Sequence, residues 1–453
     1  MLESGSRART VAIVGGGFAG VALAYHLLAS RSELQVTLIE RDPLVGRGVA
    51  YQASSPLLRL NVPASRMSLD PQQPLDFVRF AGAEQEPGAF LARSLYGGYV
   101  GHCLSRAARE HPGRLHVVHD TVLQVCKNPA ADGGRGNGRE LRLERGGVLH
   151  ADAVVLATGL SARTKASVLP DDPRVLDAWD EAALSRLPRT ARVLVVGSGL
   201  TALDVLRLLI AGDHRGEIVV TSRHGLLPRP HAEQPGCFAL PPHLLPAPSR
   251  LRALISWTRA LTRLAADGGV PWQHVMEALR PHTPQIWQAL PIGEQRRFVR
   301  HARVYWEVLR HRAPRDLLDE VARVQALGQL SVARGRLTAC HAAPDALHVT
   351  LAGRRSPPRQ LKFDAIVPCL GPSLNMVDDS PLLAALVQGG HARLCENGLG
   401  LATAEHGSVV DAAGRPQPDL FALGVLCRAE RWETTSAPGI VQDAVALAAR
   451  VAR

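Results

Sequence analysis

The chain alternates short, wholly apolar runs with segments of helical periodicity. Residues 11–14 and 193–196 are runs of four apolar residues, and each is followed by a glycine-rich turn and then by a helical pattern. Runs that are apolar at every position are typical of strands in a parallel sheet, because helices cover both faces of such sheets. The pattern predicts an α/β protein that contains two separate strand–turn–helix units.

Other runs extend these two units. Apolar strands are expected at 35–39, 115–119, 122–125, 153–156, 218–221 and 365–369. Residues 243–325 instead show apolar positions spaced three and four residues apart, which predicts amphipathic helices. We interpret this segment as a helical insertion in the second unit rather than as a third folding unit.

Both glycine turns have the spacing G-x-G-x-x-G/A, at 15–20 and at 197–202. Between a strand and a helix, this spacing favours dinucleotide binding: the first glycine permits a tight turn and the second lets a pyrophosphate approach the backbone. The third position lets the helix pack closely, and the helix N-terminus faces the phosphates. Two such turns predict two Rossmann-type domains and two dinucleotides, and the usual reason for such a pair is electron transfer between them.

The residues after the second strand of each unit differ. Glu40 ends the strand at 35–39, about 20 residues after Gly20, where an acid hydrogen-bonds the ribose of an unphosphorylated adenosine. The first site is therefore predicted to bind FAD or NAD. Ser222 and Arg223 follow the strand at 218–221. A hydroxyl and a guanidinium at this place would hold a 2′-phosphate, which predicts NADPH. The alternative for Arg223 is a solvated arginine at a strand end.

Composition limits the other function classes. The net charge of +11 comes almost entirely from arginine, since only three lysines occur, and the arginines are spread along the chain without a nucleic-acid motif. The seven cysteines form no C-x-x-C pair, which argues against a redox dithiol, a zinc ribbon and a disulfide framework. We expect a cytoplasmic protein that acts on a small molecule and does not bind nucleic acid or membranes.

The order of these motifs resembles the flavoproteins that have two dinucleotide-binding domains, and in particular a poorly characterised FAD/NAD(P)-binding family. The resemblance covers nearly the whole chain and implies an FAD-binding domain at 1–160 and 365–453, with an NAD(P)-binding domain at 161–364 that contains the insertion. The motifs that carry it, besides the two turns, are Gly46–Tyr51, Asn61–Ala64, Met67-Ser68, Ala157–Gly159, Arg300–Trp306, Arg310–Arg312, Leu370–Pro372, Gly424 and Trp432–Thr435.

A more distant resemblance concerns Asn61. With Pro63, Met67 and Pro71 it looks like the loop of flavin-containing and N-hydroxylating monooxygenases, which implies that Asn61 lies beside the flavin. The alternative is an asparagine that caps the turn before Pro63. The chain also departs from the related flavoproteins, because Val425 follows Gly424 where an aspartate often binds FAD.

The resemblance implies an FAD- and NADPH-dependent oxidoreductase. The leading hypothesis is a flavin monooxygenase that hydroxylates a small polar substrate; the alternatives are an NADPH:acceptor reductase and a non-catalytic flavin-binding redox sensor or carrier. Asn61 is the predicted catalytic residue. The predicted cofactor-binding residues are Gly15, Gly17, Phe18, Ala19, Gly20, Glu40, Arg41, Arg47, Val62, Thr158, Gly159, Gly197, Gly199, Ala202, Ser222, Arg223, Gly371 and Gly424.

A last candidate is the basic face formed by Arg296, Arg300 and Arg303, which share one side of a predicted helix. These residues are expected either to bind a carboxylate or a phosphate, or to form a solvated cationic surface.

Overall fold

The structure is a computed structural model that describes residues 8–30, 33–128, 138–159, 167–234, 236–246, 250–353, 357–371, 376–377 and 379–452. Within these residues the strands are β1 (Thr10–Val14), β2 (Gln35–Ile39), β3 (Leu115–Val118), β4 (Val122–Lys127), β5 (Arg139–Leu143), β6 (Val148–Ala151), β7 (Ala153–Leu156), β8 (Val193–Val196), β9 (Ile218–Ser222), β10 (Leu330–Arg334), β11 (Arg336–Ala342), β12 (Leu347–Ala352), β13 (Arg359–Phe363), β14 (Ala365–Pro368), β15 (Ser408–Val410) and β16 (Pro416–Ala422).

The α-helices of the same residues are α1 (Phe18–Ala29), α2 (Gly48–Tyr51), α3 (Asp76–Ala81), α4 (Arg93–Glu110), α5 (Glu181–Ser185), α6 (Leu200–Ala211), α7 (Leu251–Asp267), α8 (Trp272–Leu279), α9 (Thr283–Ala289), α10 (Ile292–His301), α11 (Arg303–Arg310), α12 (Arg315–Ala326), α13 (Pro381–Gln388), α14 (Arg428–Arg431) and α15 (Ala437–Val451).

The first unit is built around a six-stranded sheet with the order β15-β16-β7-β1-β2-β3. Its strands are parallel except for β15, which runs antiparallel to β16. Strand β1 lies between β2 and β7, and all four residues of β7 are buried, as their apolar run predicts. Helices α1, α4 and α15 pack on one face of the sheet, and the antiparallel strands β4–β6 and helix α13 pack on the other.

The second unit repeats this layering around a parallel sheet with the order β10-β9-β8-β14. Helices α6 and α12 cover one face, and the antiparallel sheet β11-β12-β13 covers the other. The chain is thus an α/β protein with two parallel sheets, which confirms the predicted fold class. The predicted division assigns β14 to the first unit, whereas β14 pairs with β8 and so lies in the second sheet.

The long connection from β9 to β10 contains the helices predicted for the insertion. Helices α7–α11 form two apolar clusters, one of which includes Ala429 and Trp432 from the C-terminal part of the first unit. Helix α12 behaves differently from the rest, because its residues Leu317, Val321 and Val324 pack with α6 on the second sheet. The helical layer that reaches across to the first unit therefore ends before α12.

None of the helices in the described part of the chain combines the length and apolar character that crossing a membrane requires.

Candidate dinucleotide and substrate sites

The first glycine turn leaves no room for side chains. Gly15 has φ +104°, and a Cβ atom there would lie 2.6 Å from the Ala157 carbonyl oxygen. A Cβ atom on Gly20 would lie 1.9 Å from the Gly15 oxygen and 3.3 Å from the Ile13 side chain. Both glycines are therefore required by contacts within the protein: Gly15 by its backbone conformation, and Gly20 by the close packing of α1 on β1.

The N-terminus of α1 is free to meet an anion. Gly17 precedes the helix without a side-chain cap, and no acidic residue occurs in the first turn, which contains Phe18 and Ala19. The amide groups and the positive end of the helix are thus uncompensated there. Gly48 lies against Gly17, since a Cβ atom on Gly17 would be 3.6 Å from the Gly48 Cα.

Two arginines predicted for the first site differ in position. Arg47 immediately precedes α2 and is half-buried, and its side chain makes no hydrogen bond or ion pair with another described residue. The loop that carries it is held to the turn by the Gly46 amide, which donates to the Gly16 oxygen at 2.7 Å. Arg41 is exposed. Of the two, Arg47 is the arginine that the fold ties to the glycine turn.

Glu40 lies against the same turn. Its Oε2 accepts a hydrogen bond of 2.6 Å from the Gly16 amide, and its Oε1 accepts one of 3.0 Å from the Asp42 amide. Backbone donors thus fix the carboxylate at the end of β2, close to the start of α1. This is the arrangement in which a carboxylate can accept hydrogen bonds from ribose hydroxyls.

The C-terminal segment also reaches this turn. Gly424 has φ +73°, and a Cβ atom there would lie 3.6 Å from the Ala19 Cβ. Val425 is 7% exposed and packs in the apolar core on the face of the first sheet that β4–β6 and α13 cover. A buried apolar side chain at 425 supplies no carboxylate, so the departure noted in the sequence is also a departure in structure. Thr158 and Gly159 follow β7, and Gly159 has φ +68° with open space around it.

The second turn is less crowded. Gly197 has φ +120°, and a Cβ atom there would lie 2.2 Å from the Cys369 oxygen. A Cβ atom on Gly199 would meet nothing within 4 Å, and Ala202 is fully buried. Gly371, which follows β14, is exposed and has open space as well. Only the first glycine of this turn is required by contacts within the protein.

The strand ends beside the second turn carry two free arginines. Ser222 Oγ accepts a hydrogen bond of 3.0 Å from the Gly225 amide and lies 2.8 Å from Ser198 Oγ. Arg223 is exposed and has no partner among the described residues. Arg334, at the register position next to Ser222 on β10, is also exposed and unpaired within the described chain. The sequence reasoning missed Arg334 because only the pairing of β9 with β10 brings it here.

Asn61 lines a cleft between the two units. The cleft is narrow and partly open to solvent, and Leu57, Arg93 and residues of α6 also line it. The Asn61 side chain makes no hydrogen bond to another described residue, so it does not cap the turn before Pro63. Val62, beside it, is half-buried against the core of the first unit.

A histidine holds the Asn61 backbone. His231 Nε2 lies 3.0 Å from the Asn61 oxygen. Burial, assisted by repulsion from Arg312, lowers the pKa of His231 to about 4, so the ring is neutral at pH 7. A neutral ring with the proton on Nε2 donates to this carbonyl, and we assign that tautomer from the contact. The loop that carries Asn61 is thereby attached to the segment that enters the helical insertion.

An ion pair closes the far side of the cleft. Arg93, at the start of α4, lies 2.8 Å from Asp204 on α6, and both side chains are nearly buried. Burial raises the pKa of Asp204 to about 6, although Arg93 acts in the opposite direction. This pair connects the helix that follows the second glycine turn to the first unit.

Two of the three arginines of the predicted basic face have local partners. Arg296 donates to the Glu396 oxygen at 2.6 and 2.9 Å and is more than half exposed, Arg303 pairs with Glu307, and Arg300 is exposed. This arrangement favours the solvated surface over the anion site for these three residues.

A second group of arginines, which sequence reasoning did not single out as a unit, lies between the helical insertion and the first unit; Arg310 and Arg312 are buried, and Arg66 is exposed. Its members come from four segments that are far apart in the sequence, so no local pattern identifies them as one group. This arginine cluster comprises Arg66, Arg280, Arg310 and Arg312, with Glu277 and Glu433.

Glu277 is the centre of one half of the cluster. Arg66 Nη1 lies 2.6 Å from its Oε2, Arg280 lies 3.9 Å from the same oxygen, and Arg312 contacts Oε1. Burial opposes ionisation of Glu277, but attraction by Arg66 and Arg312 outweighs burial and holds its pKa at about 2. Burial and repulsion by Arg310 lower the pKa of Arg280 to about 9.

Glu433 anchors the other half. It accepts hydrogen bonds from Arg310 Nε at 2.9 Å and from Trp306 Nε1 at 3.0 Å. Trp287 similarly donates to the Ala429 oxygen at 2.9 Å and packs against Trp432. The three tryptophans thus attach the insertion to the C-terminal segment. Among the described residues, no group of His, Cys, Asp and Glu side chains is placed to hold a metal ion.

Comparisons with known proteins agree with this architecture. Residues 12–161 match a family model described as FAD-NAD(P)-binding. The chain is 26% identical over 242 residues to the flavin-containing monooxygenase ustF1 of Aspergillus flavus, covering 49% of this chain and 54% of that protein. The match therefore spans about half the length of this curated relative.

Several solved structures share the fold over nearly the whole chain. An ornithine N-hydroxylase of Kutzneria sp. 744 has a TM-score of 0.65 at 16% identity and covers 98% of this chain and 99% of its own. The cadaverine monooxygenase of Erwinia amylovora has a TM-score of 0.69 at 14% identity, covering 98% and 94%. L-lysine 6-monooxygenase of Pseudomonas syringae has a TM-score of 0.66 at 17% identity, covering 98% of each chain.

The glycine turn of the first unit thus lies in a segment that matches a nucleotide-binding family, and both units have counterparts in flavoproteins of the same layout. Residues 12–161 match the FAD-NAD(P)-binding family model, and the chain as a whole has the fold of the flavoproteins with two dinucleotide-binding domains.

Proposed function

We propose that the protein is an FAD-dependent monooxygenase that uses NADPH and hydroxylates a small polar substrate. The observation that carries this proposal is the cleft at Asn61, which is lined both by the first unit and by α6, the helix that follows the second glycine turn. A cleft between two nucleotide-binding units is where a nicotinamide and a flavin can meet a substrate. The names of the similar proteins, which include amine N-hydroxylases, support the same class of reaction.

The first turn suits FAD. The uncapped first turn of α1 offers the Phe18 and Ala19 amides to a pyrophosphate, and Arg47 has a free guanidinium beside the same turn. Glu40 would accept hydrogen bonds from the adenosine ribose, and Gly424 would let the cofactor pass close to the backbone. The N-terminus of α15, which has no acidic residue in its first turn, would face the flavin ring with its positive end.

The second turn suits NADPH. Arg223 and Arg334 extend from neighbouring strand ends, and neither has a carboxylate partner among the described residues. Two free guanidinium groups would attract a 2′-phosphate, which an acid in this place would repel. Gly199 lies in open space, so the backbone is accessible to a pyrophosphate.

FAD, when bound, would accept a hydride from NADPH and make molecular oxygen reactive toward a substrate. The chain's own contribution would come from Asn61 and its surroundings. The free carboxamide of Asn61 would donate a hydrogen bond to an oxygen atom in the cleft, and His231 would hold the Asn61 backbone in place. Leu57 and Leu200 would limit the entry of water. The seven cysteines are unpaired, which suits the reducing cytoplasm in which we expect the enzyme to act.

The test is to reduce the purified protein with NADPH without oxygen, to admit oxygen, and to follow the flavin absorption and the release of hydrogen peroxide. A monooxygenase should show loss and recovery of the flavin bands through a transient species. In Asn61→Ala we expect peroxide release to increase several-fold because the donor to the bound oxygen is lost. The exposed Gln72→Ala variant, in the same segment of the chain, serves as the control.

The outcomes separate the candidate functions. Flavin that is reduced by NADPH but reoxidised without a transient species would indicate a reductase instead. Peroxide release that is the same in Asn61→Ala and in the unaltered protein would contradict the role of Asn61. A protein that cannot be loaded with FAD would contradict the proposal as a whole.

A further inference from the structure

The arginine cluster contains more positive than negative charge, and two of its arginines are buried. Four guanidinium groups share the two carboxylates of Glu277 and Glu433, although Arg310 and Arg312 are only 8% and 3% exposed. Burying a charge without full compensation is costly. A further anion at this place would neutralise part of the excess.

Two buried donors of the cluster lack a protein partner, and the residue after Glu433 adds a third such donor. They are Nη2 of Arg310, Nε of Arg312 and the hydroxyl of Thr434, which is fully buried and follows Glu433 in the chain. Buried donors that make no hydrogen bond cost roughly 1–3 kcal/mol each. The cluster thus has donors to spare and needs acceptors, which is the property of an anion-binding site.

The start of α15 adds to this preference. Arg280 donates to Ser436 Oγ at 2.8 Å, and the Ser436 side chain makes no capping hydrogen bond to the helix that it precedes. The positive end of α15 therefore lies beside a guanidinium group of the cluster.

The cluster borders the proposed reaction site. Arg312 immediately precedes Ala313, which lines the same cleft as Asn61. Arg66 lies in the segment that follows Asn61, and His231, which holds the Asn61 oxygen, experiences the charges of both Arg66 and Arg312. An anion bound to the cluster would be held near the cleft without occupying either glycine turn.

We propose that the arginine cluster binds a carboxylate of the substrate, so that the enzyme acts on small carboxylic acids. This inference rests on the proposed monooxygenase function and specifies its substrate class. A carboxylate is favoured because its two coplanar oxygens match the donors of a guanidinium group, and because the hydroxyl of Thr434 can supply a further donor. The phosphates of the two cofactors have their own places at the helix N-termini of the glycine turns.

The test measures binding to the FAD-loaded protein by titration calorimetry without NADPH. The probes are succinate and benzoate, the neutral amides succinamide and benzamide, and sulfate. We expect at least one carboxylate to bind, its amide to bind at least tenfold more weakly, and sulfate to compete poorly. Binding of none of the carboxylates, or equal binding of sulfate, would overturn the assignment.

Thr434→Val separates a binding role from a purely structural one. It removes only a buried hydroxyl that has no protein partner, so the protein without ligand should become more stable in thermal unfolding. If the hydroxyl contacts a carboxylate, the same variant should bind the carboxylate about tenfold more weakly. Greater stability with unchanged affinity would show that the hydroxyl does not serve the ligand and would contradict the proposal.

Arg310→Lys is the second variant, since it retains a cation for Glu433 but loses the planar donor pair. We expect weaker carboxylate binding than in Arg300→Gln, which removes a charge from the exposed surface of the same insertion. Equal affinities in the two variants would argue against the cluster. Carboxylate binding without any oxygen transfer would contradict the monooxygenase function but not the carboxylate site. Oxygen transfer restricted to substrates without a carboxylate would contradict the carboxylate site but not the monooxygenase function.

Discussion

The two glycine turns begin with the same backbone geometry but differ at the third defined position of the G-x-G-x-x-G/A motif, which is Gly20 in the first turn and Ala202 in the second. Gly15 and Gly197 both have positive φ, and a Cβ atom on either would collide with a backbone oxygen of the neighbouring strand segment. At the third position the first turn has Gly20, with 1.9 Å between its would-be Cβ and the Gly15 oxygen, and the second has Ala202, whose methyl group fits. The conformation of the turn thus determines which residue type fits at the first position of the motif. The distance between the helix and the turn determines which residue type fits at the third.

The difference continues along the two helices. Ala22 is fully buried in α1, and Asp204 occupies the corresponding place in α6, where it pairs with Arg93 of the first unit. Helix α1 is enclosed by apolar neighbours from α4 and α15, whereas α6 carries a charge into an interface between units. A closely packed turn suits a cofactor that stays bound, and a looser turn beside a polar interface suits a cofactor that must exchange in each cycle.

Gly20→Ala tests this comparison with the largest expected effect. The added methyl group would overlap the Gly15 oxygen, so α1 must move away from β1, and we expect a loss of more than about 3 kcal/mol of stability together with loss of bound flavin. The matched change Ala202→Gly creates no overlap and should cost about 1 kcal/mol. Thermal unfolding and the flavin content of both variants check this prediction; similar losses in the two would show that the turns are equally close-packed.

The next largest effect is expected from Asp204, which should make the stability of the protein depend on pH. Its folded-state pKa of about 6 lies above the ordinary value of 3.8, so the folded protein binds a proton more tightly than the unfolded chain. Stability should therefore decrease as the pH rises from about 4 to about 6, by on the order of 3 kcal/mol, and level off above. Asp204→Asn removes this contribution, and the difference between the two unfolding temperatures across this range measures it.

The exposed Asp213, at the end of the same helix, supplies the control. Its hydrogen bond with Arg215 lowers its pKa, so Asp213→Asn should leave the unfolding profile nearly parallel to that of the unaltered protein between pH 4 and 6. A parallel profile for Asp204→Asn as well would mean that the Arg93 pair fully compensates the burial of Asp204, and the contrast between α1 and α6 would then be one of packing alone.

Much of the scaffold is predictable from local sequence. The apolar runs identify β1, β7, β8 and β14 because each is buried on both faces, and the glycine spacing identifies the starts of α1 and α6. The sheet to which β14 belongs is not predictable in this way, since a four-residue apolar run does not specify its neighbours. Helix α12 has the same periodicity as the insertion helices, and only tertiary packing assigns it to the second sheet.

The candidate sites likewise include residues that local sequence predicts and residues that only tertiary contacts bring together. Glu40, Arg223 and the glycines are found by their spacing from a recognisable turn, although their roles stay predictions. Arg334 requires the pairing of β9 with β10, and the arginine cluster requires contacts between segments that begin near residues 66, 277, 310 and 433. In a chain with so many arginines, buried guanidinium nitrogens without a hydrogen-bond partner distinguish Arg310 and Arg312 from the exposed Arg300, and this property is not visible in the sequence.

The smallest expected effect concerns the strand ends beside the two glycine turns. Glu40 lies at the strand end beside the first turn, and Arg223 and Arg334 lie at the strand ends beside the second. Arg223→Ala and Arg334→Ala should each lower the preference for NADPH over NADH about tenfold, or about 1.4 kcal/mol, because each removes one guanidinium group from the 2′-phosphate. Binding of NADH should change little, since it lacks that phosphate. Rates of flavin reduction at varied coenzyme concentration measure the preference, and Arg323→Ala, an exposed arginine on α12, controls for the general loss of charge. If Arg223→Ala lowers the preference and Arg334→Ala does not, the phosphate contacts β9 alone; if neither does, the contrast between the acidic and the basic strand end has no bearing on the choice of coenzyme.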